Sequence, residues 1–100
     1  MNLVVSEEAH QWFVKELHLE KQDCVRFFGK YGGKTSVHTG FSVGLEVSVP
    51  EQTIAKAEIE EQVYYIDEAD DWFFSGYDLL VSYDTEKKEP AYQFKQTTEV

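Results

Sequence analysis

The chain has 100 residues and a formal net charge of −10, from 19 acidic and 9 basic side chains. This length fits one domain, and an apolar content of 42% with 15% aromatic residues is enough for a bulky core. We expect a single domain over residues 1–95 and a loose tail over residues 96–100. The negative charge argues against nucleic-acid partners, because their binding depends on Lys and Arg contacts with phosphates.

The cysteine content and the apolar runs indicate where the protein resides. Cys24 is the only cysteine, so an internal disulfide is excluded. The N-terminal residues lack the basic segment and the long apolar segment of a signal peptide. The apolar runs are too short to span a bilayer. We therefore expect a cytoplasmic protein that does not enter a membrane.

A helix is predicted over residues 7–19, after a short β-prone segment at residues 3–5. Ser6 suits the N-cap because its hydroxyl accepts a backbone N–H, and the acidic residues after it suit the positive end of the helix dipole. His10 and His18 are interpreted as surface histidines. The apolar residues recur at helical spacing, which predicts one buried helix face: Ala9, Trp12, Phe13 and Leu17.

Beyond this helix the apolar period changes to two, which is typical of strands with one buried face. The clearest alternation covers residues 41–47, and further strands are predicted near residues 25–31, 55–60 and 63–66. Two more strand segments surround Leu79 to Tyr83 and Tyr92 to Phe94. The residues assigned to the buried face of the first strand are Val25, Phe27 and Tyr31.

The acidic run at residues 67–71, the aromatic residues after it and Gly76 predict a second, short helix. One face of a short helix does not bury three successive bulky side chains. We therefore expect at least one of Trp72, Phe73 and Phe74 at the surface or in a subunit contact, and these three are the candidate interface. The order of helices and strands indicates the α+β class, with an antiparallel or mixed sheet.

Two runs in the first half of the chain resemble the centre of the HesB/IscA family of iron–sulfur cluster assembly proteins. They are Val25-Arg-Phe-Phe-Gly-Lys-Tyr-Gly-Gly33 and Gly40-Phe-Ser-Val-Gly-Leu-Glu46. Within that family the chain is most similar to the short, cysteine-poor YneR-type branch. The resemblance implies a compact β-rich domain with mixed or antiparallel strands, an N-terminal amphipathic helix and a second short helix.

The cysteines that hold iron or a cluster in the HesB/IscA family have no counterpart here. His38 stands at the central cysteine position, and no Cys-x-Cys pair follows residue 90. The cluster-scaffold activity is therefore not carried over, because an iron–sulfur cluster needs about four ligands, mostly thiolates. The resemblance implies a non-enzymatic accessory or interaction module, related through unknown protein partners to iron–sulfur or metal handling. It would be a monomer or a homodimer, without a cofactor of its own.

Two other functions stay open at this stage. The first is an iron or zinc carrier that uses His38 with carboxylates, across a dimer axis if two copies share the ion. The second is a small-molecule binding module at the loop of residues 32–41, whose Gly32, Gly33 and Gly40 would allow closure over a ligand. An enzyme is not expected, because no set of nucleophile, base and orienting group stands out in the sequence.

Overall fold

The computed structural model describes residues 1–35 and 37–97 and confirms the α+β class. The last strand runs through Gln96, and the predicted tail residues 98–100 lie outside the described part. The elements in chain order are β1 (Leu3–Val5), α1 (Glu7–Glu16), β2 (Cys24–Lys34), β3 (Thr39–Val47), β4 (Thr53–Ile59), β5 (Gln62–Asp67), a 3-10 turn (Glu68–Asp70), α2 (Asp71–Phe74), β6 (Tyr77–Asp84) and β7 (Glu89–Gln96).

The strands form two mixed sheets. One sheet has the order β1-β6-β7, and the other has the order β3-β2-β5-β4. β1 pairs in parallel with β6, and β2 pairs in parallel with β5, whereas the remaining neighbours are antiparallel. The inward faces of both sheets and the apolar face of α1 share one buried cluster that includes Phe13, Phe27, Tyr64, Leu79 and Val81.

Helix α1 begins where the sequence predicts and ends earlier. The Ser6 hydroxyl accepts a hydrogen bond from the Ala9 N–H at 3.1 Å, which caps the first turn. The helix ends at Glu16, because His18 takes a left-handed backbone conformation with φ 51°. Within the described residues, neither helix is long and apolar enough to cross a membrane.

His10 is buried, so its interpretation as a surface histidine is wrong. Its exposed fraction is 2%, whereas His18 is exposed as predicted. His10 precedes Phe13 by three residues and therefore lies on the buried stripe of α1. Its Nδ1 lies 2.7 Å from the Tyr64 hydroxyl, and its Nε2 lies 3.3 Å from a carboxylate oxygen of Glu60. These two partners from other elements make burial of the imidazole tolerable.

The second helical segment packs on one face of β2, beyond the part of the strand that pairs with β5. β5 pairs only with the first residues of β2, up to Arg26. Further along β2, Phe73 of α2 packs on Gly29, where an added Cβ would lie 2.6 Å from the Phe73 ring. Because Gly29 has no side chain, α2 rests directly on the strand and lies next to the β2–β3 hairpin.

Candidate functional site

The β2–β3 hairpin has a shorter loop than the sequence suggests. β2 continues through Gly32 and Gly33, which take positive φ values of 101° and 70°, and a bulge lies between Tyr31 and Lys34. β3 already includes Gly40, with φ 89°. The predicted flexible loop of residues 32–41 is therefore mostly strand. Its glycines take positive φ values, which other residues adopt only with strain.

The chain reverses between Lys34 and Thr39 in a hydrogen-bonded turn. The Thr35 N–H donates to the His38 carbonyl at 2.8 Å. The Thr35 hydroxyl accepts the N–H groups of His38 at 2.9 Å and Val37 at 3.2 Å. These bonds fix the backbone of His38 and direct its side chain towards α2.

His38 joins the hairpin to α2. Its Nε2 lies 2.8 Å from the Phe73 carbonyl oxygen, and its ring stacks on the Phe73 ring with centroids 4.7 Å apart. A carbonyl oxygen only accepts hydrogen bonds, so Nε2 carries a proton and donates it. His38 thus acts as a structural link, and the lone pair that a metal would need at Nε2 is not available.

Three aromatic side chains form a continuous group beside this link, with Phe41 half-buried between the exposed Tyr31 and Trp72. We call Tyr31, Phe41 and Trp72 the aromatic surface. The Phe41 ring centroid lies 5.1 Å from that of Tyr31 and 5.2 Å from that of Trp72. Tyr31 is 88% exposed and Trp72 is 53% exposed. Phe73 and Phe74 are fully buried, so only Trp72 of the three candidate interface residues is available at the surface.

An ion pair holds α2 from the other side. Arg26 on β2 donates from Nε and Nη2 to the two carboxylate oxygens of Asp70 at 2.8 and 3.0 Å, and from Nη1 to Glu46 at 2.9 Å. The bonds to Asp70 raise the pKa of the Arg26 guanidinium further above its usual value. Asp70 directly precedes α2 and is only 5% exposed, so the pair fixes where Trp72 lies.

Sequence reasoning missed two parts of this site. Tyr31 was expected in the core, since it continues the alternation of Val25 and Phe27, but β2 extends beyond the core and leaves its ring in solvent. The sequence assigns the acidic residues at 67–71 only to the start of a short helix. Capping holds for Asp67, which accepts the Glu68 N–H, but Asp70 binds Arg26 instead. No sequence signal connects Arg26 to a residue 44 positions away.

The fold is a small α+β domain that exposes a Tyr and a Trp on one surface; such side chains are enriched at protein interfaces. The chain belongs to a family that includes a Bacillus subtilis (strain 168) protein named Pyruvate dehydrogenase inhibitor. The two are 40% identical over 95 residues, which cover 95% of this chain and 100% of the relative. That relative is named as an inhibitor, which confirms the prediction that the chain is not an enzyme.

Two staphylococcal proteins are also related. One from Staphylococcus saprophyticus is 31% identical over 102 residues and covers 95% of this chain and 100% of its own. One from Staphylococcus haemolyticus is 28% identical over 95 residues, with 92% of this chain and 96% of its own covered. Both carry the name of an uncharacterized protein. No family model matches the chain, and no solved structure matches it.

The assignment to the HesB/IscA family is therefore wrong, and so is the accessory role in iron–sulfur cluster or metal handling. The relative's name concerns pyruvate dehydrogenase, and no HesB/IscA model matches. The run Gly40 to Gly44 that carried the resemblance has a local explanation. Gly40 needs a positive φ, and a Cβ at Gly44 would lie 2.7 Å from the Phe28 ring.

The metal carrier and the small-molecule binding module are wrong for the same reason, since the relative's name concerns pyruvate dehydrogenase. Over residues 1–35 and 37–97, no group of three or more His, Cys, Asp and Glu side chains is arranged to hold a metal ion. His38, the predicted iron or zinc ligand, donates from Nε2 to the Phe73 carbonyl. Gly32, Gly33 and Gly40, the predicted ligand loop, lie in paired strands.

Proposed function

We propose that this chain inhibits pyruvate dehydrogenase by binding it through the aromatic surface. The proposal takes its target from the relative named Pyruvate dehydrogenase inhibitor, which matches over 95% of this chain. The location of the binding site is inferred from one observation, the exposure of Tyr31 and Trp72 on either side of Phe41. Contact alone can inhibit an enzyme, so the chain needs no catalytic group or cofactor of its own.

The energetics favour this surface as an interface. Trp and Tyr are the residues that most often dominate binding energy, and truncating one at an interface centre costs about 2 kcal/mol or more. Both are amphipathic, so they tolerate water in the free chain and still gain from burial in a complex.

The surface is also held rigid before binding. His38 fixes the hairpin to α2, and the Arg26–Asp70 pair fixes the start of α2. Tyr31 and Trp72 lie on these two elements, so their relative position is set in the free chain. Binding then costs less conformational entropy than it would with mobile side chains on mobile loops.

An inhibition assay tests the proposal. Purified pyruvate dehydrogenase is titrated with the wild-type chain, Tyr31→Ala, Trp72→Ala and a control, Val49→Ala. Val49 is 84% exposed and lies outside the aromatic surface, which matches it to Tyr31 in exposure. We expect inhibition by the wild type and by Val49→Ala, with an increase of about tenfold or more in the half-inhibitory concentration for each aromatic variant.

Two results would overturn parts of the proposal. A folded wild-type chain that leaves pyruvate dehydrogenase fully active would remove the function itself. Equal inhibition by all four proteins would keep the function and reject the aromatic surface as its site. Circular dichroism of each variant separates loss of binding from loss of folding.

A further inference from the structure

We infer that the partner presents a basic side chain, preferably that of an arginine, to the aromatic surface. This inference rests on the proposed function for the identity of the partner and adds the chemistry by which it is recognised. The face of an aromatic ring is negative, and a cation above it is attracted most strongly by Trp and then by Tyr and Phe. The occupant is thus a basic segment of a protein rather than a purely apolar one.

The arrangement of the rings supports a cation. Trp72 meets Phe41, Phe73 and His38 at interplanar angles of 71°, 66° and 66°. Among the described residues no ring is stacked in parallel on Trp72, and about half of its surface is open. The Tyr31 ring is even more exposed and tilts 35° from Phe41. Two electron-rich rings on one surface are thus accessible to a cation from a partner.

The charge of the chain supports the same occupant. The net charge of −10 attracts basic segments over distances beyond direct contact and raises their association rate. Asp71 precedes Trp72 and is exposed, and Glu68 at the start of the same helical segment is exposed as well. A guanidinium over Trp72 would therefore approach through a negative potential.

The nearby cations of the chain itself do not compete for these rings. Lys30 projects from the opposite face of β2 to Tyr31, and its Cδ packs over Gly44. Lys34 lines a separate groove with Trp12 and Tyr92. Arg26 is engaged by Asp70 and lies 5.3 Å above the Phe28 ring, which is the same kind of contact within this sheet.

The first test uses nuclear magnetic resonance on the free chain, without pyruvate dehydrogenase. The chain has two tryptophans, so its two indole N–H signals report on Trp72 and, as an internal control, on Trp12. The probe is a Gly-Arg-Arg-Gly peptide, and its control is the same peptide with citrulline, a neutral isostere, in place of arginine. We expect the arginine peptide to shift the Trp72 signal, with little change at Trp12 and none with citrulline. Equal shifts with both peptides, or none with either, would overturn the inference.

The second test separates this inference from the proposed function. Inhibition of pyruvate dehydrogenase is measured for Trp72→Phe and Trp72→Leu, at low and high salt. A cation contact predicts a graded loss, with Leu about fivefold weaker than Phe, and weaker inhibition at high salt. Equal inhibition by the Phe and Leu variants, without a salt effect, would overturn the basic occupant while leaving the proposed function intact. An inactive wild type that still binds the arginine peptide at Trp72 would overturn the function and keep the inference.

Discussion

Gly29 is the residue of β2 on which the Phe73 ring of α2 packs. An added Cβ would lie 2.6 Å from two atoms of the Phe73 ring and 3.1 Å from its Cβ, and this ring is fully buried. Gly29→Ala must therefore displace α2, and we expect a loss of about 1–3 kcal/mol in the free energy of unfolding. Urea denaturation of the variant and the wild type measures this loss.

Gly44→Ala is the matched control for that experiment. Its Cβ would meet the far end of the Phe28 ring at 2.7 Å, but Phe28 is half-buried whereas Phe73 is fully buried. We expect a smaller loss of stability than for Gly29→Ala. A larger loss of stability for Gly44→Ala would show that α2 moves to accommodate a new Cβ more easily than the Phe28 side chain does.

The Tyr64 hydroxyl offsets the cost of burying His10, because it is a hydrogen-bond partner of the imidazole ring. The Glu60 carboxylate only accepts, so His10 Nε2 donates to it over 3.3 Å, and the Tyr64 hydroxyl is the hydrogen-bond partner of Nδ1 at 2.7 Å. Tyr64→Phe leaves a buried nitrogen without a partner, and we expect a loss of about 1–3 kcal/mol by thermal or urea unfolding. Tyr31→Phe, with its exposed hydroxyl, should change stability by less than about 0.5 kcal/mol.

The same tyrosine gives the unfolding equilibrium an alkaline pH dependence. Burial raises the pKa of Tyr64 above that of the unfolded chain. A raised pKa of this kind contributes stability below about pH 10, and the contribution is lost as the pH rises towards the folded-state pKa. As the pH rises above about 10, the free energy of unfolding of Tyr64→Phe should therefore fall less steeply than that of the wild type. Identical alkaline profiles would contradict the buried, neutral hydroxyl.

The sequence predicted some of these residue roles and missed others. Ser6 as N-cap and at least one exposed residue among Trp72, Phe73 and Phe74 followed from local rules, and the structure agrees. The burial of His10 and the exposure of Tyr31 did not follow. Both depend on what other elements place beside the residue, namely Tyr64 for His10 and the end of the core for Tyr31.

Helix α2 has only four residues, so tertiary contacts rather than its own hydrogen bonds hold it in place. One of these contacts is the bidentate pair of Arg26 and Asp70. Asp70→Asn removes the charge and one good acceptor, and we expect a loss of about 1–3 kcal/mol in stability. Because Trp72 follows on the same element, the inhibition of pyruvate dehydrogenase should weaken as well.

Glu46→Gln is the control for the Arg26 pair. Glu46 binds the same guanidinium at 2.9 Å, but its side chain is 45% exposed, so the change should cost less than about 1 kcal/mol. It should also leave inhibition unchanged, because Glu46 lies on β3 and does not hold α2. Equal effects of both variants on inhibition would contradict the role of Asp70 in positioning Trp72.

Strands with a clear alternation were predictable one by one, and the hairpin tip was not. The alternation in residues 41–47 and 55–60 corresponds to β3 and β4 in the structure. The glycines at 32 and 33 indicated a loop, yet β2 continues through them, because a bulge accommodates their positive φ values within a paired strand. Local composition does not distinguish a bulged strand end from a glycine-rich loop.

At the scale of the whole molecule, the α+β class was predictable, whereas the sequence left an antiparallel and a mixed sheet equally open and did not predict the pairing of strands. β1 pairs with β6 and β2 with β5, both in parallel and across long stretches of chain. Such partners are selected by the joint burial of both sheets, which no single segment encodes. The family resemblance failed at the same scale, since glycines and a phenylalanine that meet local backbone needs also occur in unrelated proteins.

Hydrogen–deuterium exchange of the chain, alone and saturated with pyruvate dehydrogenase, tests the central claim most directly. It locates the binding surface without any substitution. We predict slower exchange on binding in the hairpin tip, residues 29–35 and 37–41, and in α2, with little change in β4 on the far edge of its sheet. Unchanged exchange at the tip and in α2, together with protection of β4 or β1, would contradict the aromatic surface as the site of inhibition.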